Sequence, residues 1–168
     1  MNYDVYTDGA CSGNPGPAGY GIVIIPENKL PITTSGYLAS ATNNRVELLA
    51  IVRALKIVHK HRDVVPKKVY TINIYSDSAY CLNPILENWI NSWEKKGWKT
   101  KGYTPVKNVD LWMELNELIK TSRYNINFIK VKGHSGNEYN ELADKLAKEA
   151  IVRFKDRMNN EPSIPYKK

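Results

Sequence analysis

Four acidic residues lie where a carboxylate is costly unless a cation is held against it. Asp8 and Asp77 end strand-like runs, Glu47 lies on the apolar face of a helix-like segment, and Asp144 borders the apolar face of another. Buried carboxylates raise one another's pKa values and destabilise a fold, unless divalent cations neutralise them. The pattern predicts a metal site that acts on phosphate groups.

The elements that must position these carboxylates alternate between strand and helix patterns. Period-two alternation predicts five strands, namely Tyr3 to Asp8, Gly21 to Ile25, Leu30 to Leu38, Lys68 to Ser76 and Asn125 to Val131. The glycine-rich segment between the first two strands predicts a tight turn. We expect the first three strands to be antiparallel and the later ones, connected through helices, to be parallel. The chain is therefore predicted to be an α/β protein with a mixed sheet.

Helical periodicity predicts the remaining elements. The four helical segments run from Asn44 to about His59, from Ser78 to Lys96 with an interruption or kink at Pro84, from Asn108 or Asp110 onward, and from about Glu141 to Phe154. Asn44 and Glu47 resemble a capping box at the start of the first of these helices.

Length and composition predict one soluble domain. The 168 residues suffice for a single core, and we expect a folded domain over residues 1–154 and a loose tail over 155–168. No apolar run is long enough to span a membrane and the start lacks the features of a signal peptide, so we expect a cytoplasmic monomer without a membrane partner. Cys11 and Cys81 are expected to be reduced thiols.

Basic residues concentrate in one segment. The formal net charge is +7, and the stretch KKGWKTKGYTPVK, Lys95 to Lys107, carries five lysines and no acidic residue. Trp98 and Tyr103 lie between those lysines. A local basic patch with interleaved aromatic residues favours a polyanionic partner such as a nucleic acid.

Six sequence blocks together span roughly Tyr3 to Ala150, namely YTDGACSGNPGPAGYG, ATNNRVELLA, YSDSAY, WEKKGWKT, VKNVDLW and GHSGNEYNELADKLA. In sequence and in order they resemble the blocks of type 1 ribonuclease H, in the bacterial form with a basic protrusion. The resemblance implies a ribonuclease H fold, a five-stranded mixed sheet flanked by helices. It also implies endonucleolytic cutting of the RNA strand of an RNA·DNA hybrid, with expected roles in RNA primer and R-loop removal.

The resemblance also implies roles for particular residues. The family's metal-binding carboxylates, which hold two Mg²⁺ or Mn²⁺ ions, are matched by Asp8, Glu47, Asp77 and Asp144. Cleavage at such a site leaves a 5′-phosphate and a 3′-hydroxyl. His134 matches a mobile histidine that assists proton transfer or product departure. The oxygen-only ligand set suits Mg²⁺. Taken singly, Asp144 could simply pair with Lys148, four residues on. His59 and His61 have no such context and are interpreted as surface residues.

The implied substrate contacts form three groups. The resemblance assigns Asn14, Asn43, Asn44 and the backbone from Gly9 to Cys11 to the RNA 2′-hydroxyls, and Thr42 and Asn108 to a DNA phosphate; the expected basic protrusion, about residues 88–107, supplies Lys95, Lys96, Trp98, Lys99 and Lys101. Turn and helix capping is the competing interpretation for Asn14, Asn43, Asn44 and Asn108. Trp89 and Trp93 are expected to pack against their own helices.

Two departures and three alternatives bear on this interpretation. Ala79 stands where bacterial relatives carry Gln, and Pro84 replaces a glycine-like position. A non-catalytic binding module would be expected to lack a carboxylate, and all four are present. A resolvase or transposase core would lack the Asn-rich readers and the lysine-tryptophan segment. A ribonuclease H domain of a reverse transcriptase is the third alternative.

Overall fold

A central sheet of five strands organises the protein. The computed structural model describes residues 2–60, 70–133 and 136–160. In chain order the elements are β1 (Asn2–Cys11), β2 (Gly16–Pro26), β3 (Ile32–Ala41), α1 (Asn43–Lys60), β4 (Thr71–Ser76), α2 (Ala79–Leu86), α3 (Trp89–Lys95), α4 (Val109–Thr121), β5 (Asn125–Lys130) and α5 (Glu138–Asn160).

The strand order is β3-β2-β1-β4-β5, with β1 antiparallel to β2, β2 antiparallel to β3, and both β1–β4 and β4–β5 parallel. The predicted mixed sheet is therefore confirmed. The parallel ladder between β1 and β4 ends at the pair Tyr6 and Tyr75, while β1 remains paired with β2 as far as Cys11. Beyond Tyr6 the two parallel strands are no longer hydrogen-bonded, and this opening lies beside Asp8.

Helices cover the two faces of the sheet in separate layers. On one face α1 packs with residues of α2, α3 and α4 over the apolar side chains of β1, β2 and β4, and Trp112 is fully buried in this core. On the other face α5 packs against β1, β2 and β3. Within the described part of the chain, no helix combines the length and apolar character that a membrane span requires.

Several predicted boundaries are wrong. β1 runs past Asp8, and β2 begins at Gly16, so much of the predicted glycine-rich turn is strand. Pro84 lies inside α2 and does not interrupt it. The interruption between α2 and α3 is instead at Asn88, whose φ of 62° is left-handed. α5 continues to Asn160, so the first six residues of the expected tail are helical, and residues 161–168 lie outside the described chain.

The start of α1 also differs from the prediction. Thr42 is the capping residue, because its Oγ1 accepts a hydrogen bond from the Arg45 amide at 3.2 Å and its carbonyl accepts one from the Val46 amide at 3.1 Å. The capping box predicted from Asn44 and Glu47 is therefore wrong. Because Glu47 is not needed as a capping partner, its carboxylate is available to the site described below.

Glycines in β2 allow α5 to lie directly on the sheet. A Cβ at Gly19 would collide with the carbonyl oxygen of Ala147, and a Cβ at Gly21 with that of Ala143. Both obstacles are helix backbone, which cannot rotate aside as a flexible side chain would. These glycines therefore serve close helix-to-strand packing in an extended strand, not a turn.

We predict that Gly21→Ala lowers the free energy of unfolding by about 1–3 kcal/mol, because the added methyl group forces α5 away from β2. Urea denaturation followed by circular dichroism measures the change. Gly102→Ala is the matched control, since a Cβ at Gly102 would meet nothing within 4 Å. Equal stabilities of the two variants would contradict the close-packing argument.

Candidate active site

Three carboxylates from distant parts of the chain converge where β1 and β4 separate. One oxygen each from Asp8, Glu47 and Asp77 lies within 4.8 Å of the others. Asp8 is buried and the other two are half-buried. Three of the four residues that the sequence selects therefore form one cluster, which we call the carboxylate cluster.

Two glycines make room for the carboxylate cluster. A Cβ at Gly9 would lie 2.8 Å from Val46 Cγ1 and 2.9 Å from the Glu47 amide nitrogen, so only glycine lets β1 approach the first turn of α1 this closely. A Cβ at Gly133 would lie 3.0 Å from Asp77 Oδ2. The loop after β5 thus lies against the Asp77 carboxylate of the cluster.

Residues expected to read the substrate also hold the first turn of α1. Asn14 Oδ1 accepts a hydrogen bond from the Asn43 amide at 3.0 Å. The Asn43 side chain in turn hydrogen-bonds the Glu47 carboxylate, as does Ser78. Asn14, which the competing interpretation assigned only to its own turn, therefore also holds the start of α1, although it is exposed. Asn44 is exposed at the same helix end.

Two carboxylates of the cluster have raised pKa values, because they are buried close to like charges. Burial, followed by the charge of Asp77, raises the pKa of Asp8 to about 8, against the opposing hydrogen bond from the Gly9 amide at 2.9 Å. Burial likewise raises the pKa of Glu47 to about 7, although hydrogen bonds from Ser78 and Asn43 oppose it. At neutral pH the protein therefore keeps protons on groups that would be fully ionised in water.

Asp144 lies outside the carboxylate cluster. Its Oδ2 pairs with Lys148 Nζ at 2.8 Å, which is the pairing that the sequence offered as the simpler interpretation. Asp144 is nevertheless close enough for its charge to contribute to the raised pKa of Asp8. α5 therefore carries this carboxylate to the edge of the site without bringing it into the cluster.

The donor set of the carboxylate cluster fits a hard divalent cation. It offers carboxylate oxygens alone, and cations of the Mg²⁺ class prefer oxygen ligands. Cys81 is close by but is buried, and burial raises the pKa of its thiol to about 12, so it remains protonated. The half-buried Cys11 thiol instead contacts the Ala41 carbonyl oxygen at 3.3 Å. Neither thiol is a candidate ligand.

Of the three histidines, only His59 lies among the described residues. His134 and His61 lie outside the described residues. His59, predicted to be a surface residue, is half-buried, with Nε2 at 3.0 Å from Ser122 Oγ and its ring stacked on Tyr124 at 5.5 Å. The surface interpretation of His59 is therefore wrong, because the end of α1 packs against the segment that joins α4 to β5.

Arg45, which was not among the predicted substrate contacts, joins two residues that were, Thr42 and Asn108. Arg45 Nη1 donates to Asn108 Oδ1 at 3.3 Å, and the Arg45 amide donates to Thr42. Asn108 Nδ2 donates to the Tyr80 hydroxyl at 2.9 Å, and Asn108, at a φ of 58°, makes no side-chain cap on α4. Thr42, Arg45 and Asn108 therefore form one polar group. Arg45 also pairs with Asp110 at 2.6 Å. An acidic residue near the start of α4 was the sequence feature that could have suggested a partner for Arg45.

The lysine-rich segment surrounds an aromatic pocket. A pocket of about 220 Å³ is lined by Trp89, Ser92, Trp93, Lys96, Lys99 and Lys101. Trp93 packs at 5.5 Å on buried Trp112 of α4, which is not its own helix, and contacts Trp89 at 6.4 Å. Trp89 is 43% exposed. Trp98 is half-buried and Lys95 is exposed beside the pocket. Glu94 anchors α3 to α4 by accepting hydrogen bonds from Lys120 at 2.7 Å and Asn116 at 3.0 Å.

Known proteins with similar sequences share one name. A family model described as RNase H matches residues 1–152. The Ribonuclease H of Acetivibrio thermocellus is 47% identical over 149 residues, which cover 89% of this chain and 94% of the relative. That of Caldanaerobacter subterraneus subsp. tengcongensis is 47% identical over 150 residues, which cover 89% of this chain and 91% of the relative.

Solved structures with the same fold lead to the same family. LC9-RNase H1, a type 1 RNase H with the type 2 active-site motif, superposes with a TM-score of 0.74 at 25% identity, covering 90% of this chain and 72% of that one. LC11-RNase H1 in complex with RNA/DNA hybrid superposes with a TM-score of 0.66 at 26% identity, covering 90% and 98%. On the family match, the sequence identity and the shared fold together, the chain belongs to the ribonuclease H family of metal-dependent hydrolases.

Proposed function

We propose that this protein is an endonuclease that hydrolyses the RNA strand of RNA·DNA hybrids. The observation that carries the proposal is the carboxylate cluster, whose burial and mutual repulsion suit a site that is completed by cations and a phosphate. The hybrid bound to LC11-RNase H1 supports the choice of substrate. We place the catalytic domain at residues 1–154 and expect it to act in removing RNA primers and R-loops.

Asp8, Glu47 and Asp77 would hold the cations, with Asp144 as a fourth ligand from α5. Two Mg²⁺ or Mn²⁺ ions would supply the charge neutralisation for an in-line displacement at phosphorus, which leaves a 5′-phosphate and a 3′-hydroxyl. The chain itself preorganises the ligands through Gly9, Asn43 and Ser78, as the close contacts at Glu47 indicate. His134, one residue beyond Gly133, would assist proton transfer.

The polar residues around α1 would distinguish RNA from DNA. Amide side chains both donate to and accept from a 2′-hydroxyl, so Asn14, Asn43 and Asn44, with the backbone near Cys11, suit the RNA strand in a shallow minor groove. Thr42, Arg45 and Asn108 form a group with hydroxyl, guanidinium and amide donors, which suits a phosphate of the DNA strand. The interpretation adds Arg45 to the contacts expected from the sequence.

The lysine-rich segment would hold the DNA backbone as a basic protrusion of about residues 88–107. Lys95, Lys96, Lys99 and Lys101 are exposed and have no acidic partner among the salt bridges of the described residues. Trp89 and Trp98 would offer apolar surface to the sugars beside those lysines. The hydrogen bond from Lys120 to Glu94 would keep α3 in a fixed orientation when DNA is bound.

We predict that the protein cleaves the RNA strand of a labelled RNA·DNA hybrid with Mg²⁺, and that a chelator abolishes cleavage. Asp8→Asn should reduce the cleavage rate by at least about 10³-fold, because it removes a carboxylate from the cation site. Gel analysis of the products measures both effects and reports the ends formed.

Duplex DNA and duplex RNA are the matched substrates, and Asp4→Asn is the matched variant, since it removes a carboxylate from β1 outside the cluster. Cutting of duplex DNA, or of the hybrid in chelator, would contradict the proposed function. Retained turnover by Asp8→Asn would remove Asp8 from the cation site.

The raised pKa values of Asp8 and Glu47 predict an unusual pH dependence of stability. The folded protein keeps protons on these groups that the unfolded chain releases above about pH 4, so folding takes up protons in this range. In chelator, we expect the melting temperature to fall between about pH 5 and about pH 8, with a shallower fall for Asp8→Asn. Thermal unfolding by circular dichroism measures both slopes.

Mg²⁺ should raise the melting temperature more at the upper end of this pH range, because the cation binds the deprotonated cluster. Asp4→Asn again serves as the control and should follow the wild-type slope. If Asp8→Asn and wild type showed identical slopes, Asp8 would not hold the extra proton.

Neutralising Lys95, Lys96 and Lys99 together should weaken hybrid binding and reduce its salt dependence. Each phosphate contact contributes a slope of about −0.9 to the plot of log binding constant against log salt concentration, so losing three contacts should flatten the slope by about 2–3. Fluorescence anisotropy of Asp8→Asn with labelled hybrid measures the slope without turnover. A variant that neutralises Lys29, Arg53 and Lys60 is matched in charge, and an equal effect there would contradict a local role for the segment.

A further inference from the structure

Three tyrosines precede Asp8, Asp77 and Asp144 by a few residues in the sequence. Tyr6 precedes Asp8 by two residues on β1, and Tyr75 precedes Asp77 by two residues at the end of β4. Residues i and i+2 of a strand project from the same face of a sheet. Tyr139 belongs to the first turn of α5, the helix that carries Asp144.

The three rings contact one another across these elements. Tyr6 stacks on Tyr75 with a centroid distance of 4.6 Å and an interplanar angle of 8°. Tyr6 also contacts Tyr139 at 5.5 Å with a tilt of 40°. The ring of Tyr6 therefore links β4 to the start of α5.

A hydrogen bond ties the same tyrosine to the residue that begins α5. The Tyr6 hydroxyl is hydrogen-bonded to the Asn137 side chain. Asn137 Oδ1 accepts from the Asn140 amide at 3.1 Å, and the Asn137 carbonyl accepts from the Glu141 amide at 3.0 Å, so Asn137 caps α5. Tyr6 thus binds both the cap and the first turn of that helix.

We propose that Tyr6, Tyr75 and Tyr139 act as positioning residues, an aromatic layer that fixes the start of α5, and with it Asp144, relative to Asp8 and Asp77. The inference rests on the proposed function, in which these carboxylates hold the cations. The layer is needed because Asp144 is not in the carboxylate cluster and pairs instead with Lys148. The turn that contains Tyr139 leads directly into the turn that carries Asp144, so loosening the first turn would loosen the approach of Asp144 to the site.

α5 is packed closely on β2 at Ala143, one residue before Asp144, and again at Ala147. Those contacts lie after the first turn of the helix, and the aromatic layer holds the first turn itself. α5 packs against β1, β2 and β3, and Tyr75 of β4 is linked to it through the ring of Tyr6. The aromatic layer therefore couples the β4 carboxylate to α5.

The test compares Tyr139→Ala with Tyr139→Phe in the full chain. We expect Tyr139→Ala to weaken Mn²⁺ binding to the substrate-free protein and to lower kcat, each by about tenfold, because groups that orient metal ligands typically have effects of this size. KM for the hybrid should stay within about twofold of wild type, since the substrate contacts are elsewhere. Tyr139→Phe keeps the ring and should restore both quantities.

Isothermal titration calorimetry with Mn²⁺ and steady-state hybrid cleavage provide these numbers. Hydrogen exchange of the amides of residues 138–141 reports the anchoring of α5 independently of activity, and should be faster in Tyr139→Ala and in Tyr6→Phe. Tyr75→Phe, which keeps the stacked ring and leaves the bond to Asn137 intact, is the control and should match wild type in all three measurements.

The outcomes separate the inference from the function on which it rests. A wild-type protein that binds Mn²⁺ and cleaves hybrid, with a Tyr139→Ala variant equal to it, would overturn the aromatic layer and leave the function intact. A Tyr139→Ala variant that loses activity only in proportion to its unfolded fraction would overturn the layer as well. A wild-type protein that neither binds Mn²⁺ nor cleaves hybrid would overturn the proposed function itself.

Discussion

The repulsion among three carboxylates held within 4.8 Å of one another is the constraint around which this fold is arranged. Electrostatic repulsion and the cost of desolvation would on their own keep Asp8, Glu47 and Asp77 apart, because burial of like charges is unfavourable. The protein instead brings them together with backbone devices. β1 and β4 stop pairing at Tyr6, so that Asp8 and Asp77 face an opening, and Gly9 admits the first turn of α1. Part of the folding free energy is therefore stored in a site that a cation can relax.

The residues that hold this strained arrangement are also the ones proposed to meet the substrate. Asn14 caps α1 through the Asn43 amide, and the Asn43 side chain supports Glu47. Capping and substrate reading are thus compatible roles for the same side chains, because an amide has four hydrogen-bonding positions and the cap uses one. Contact of these side chains with the RNA strand, as proposed, would therefore also act on the position of Glu47 through the first turn of α1.

Sequence patterns predicted the order and type of the strands because alternation and burial are local signals. They failed where long-range packing decides. The glycines of β2 indicated a turn, yet two of them serve the approach of α5, which only the folded chain reveals. Thr42, Asn43 and Asn44 are all good capping types, so composition could not identify Thr42 as the cap. The end of α5 lacked apolar periodicity, but Arg153 and Lys155 reach Ser35 and Ser12 there.

Asp144 shows why the fourth carboxylate was harder to place than the first three. Its pairing with Lys148 is partly exposed, and such pairs contribute only about 0–1 kcal/mol. The hydrogen bond with Asp144 and the charge of Asp144, and to a lesser extent the charge of Asp8, raise the pKa of Lys148, so this ammonium group supplies positive potential at the edge of the carboxylate cluster. A divalent cation in the cluster would repel the Lys148 ammonium group and attract the Asp144 carboxylate. Because the ion pair that must be given up is weak, the position of α5, and not the strength of the pair with Lys148, decides whether Asp144 reaches the cation.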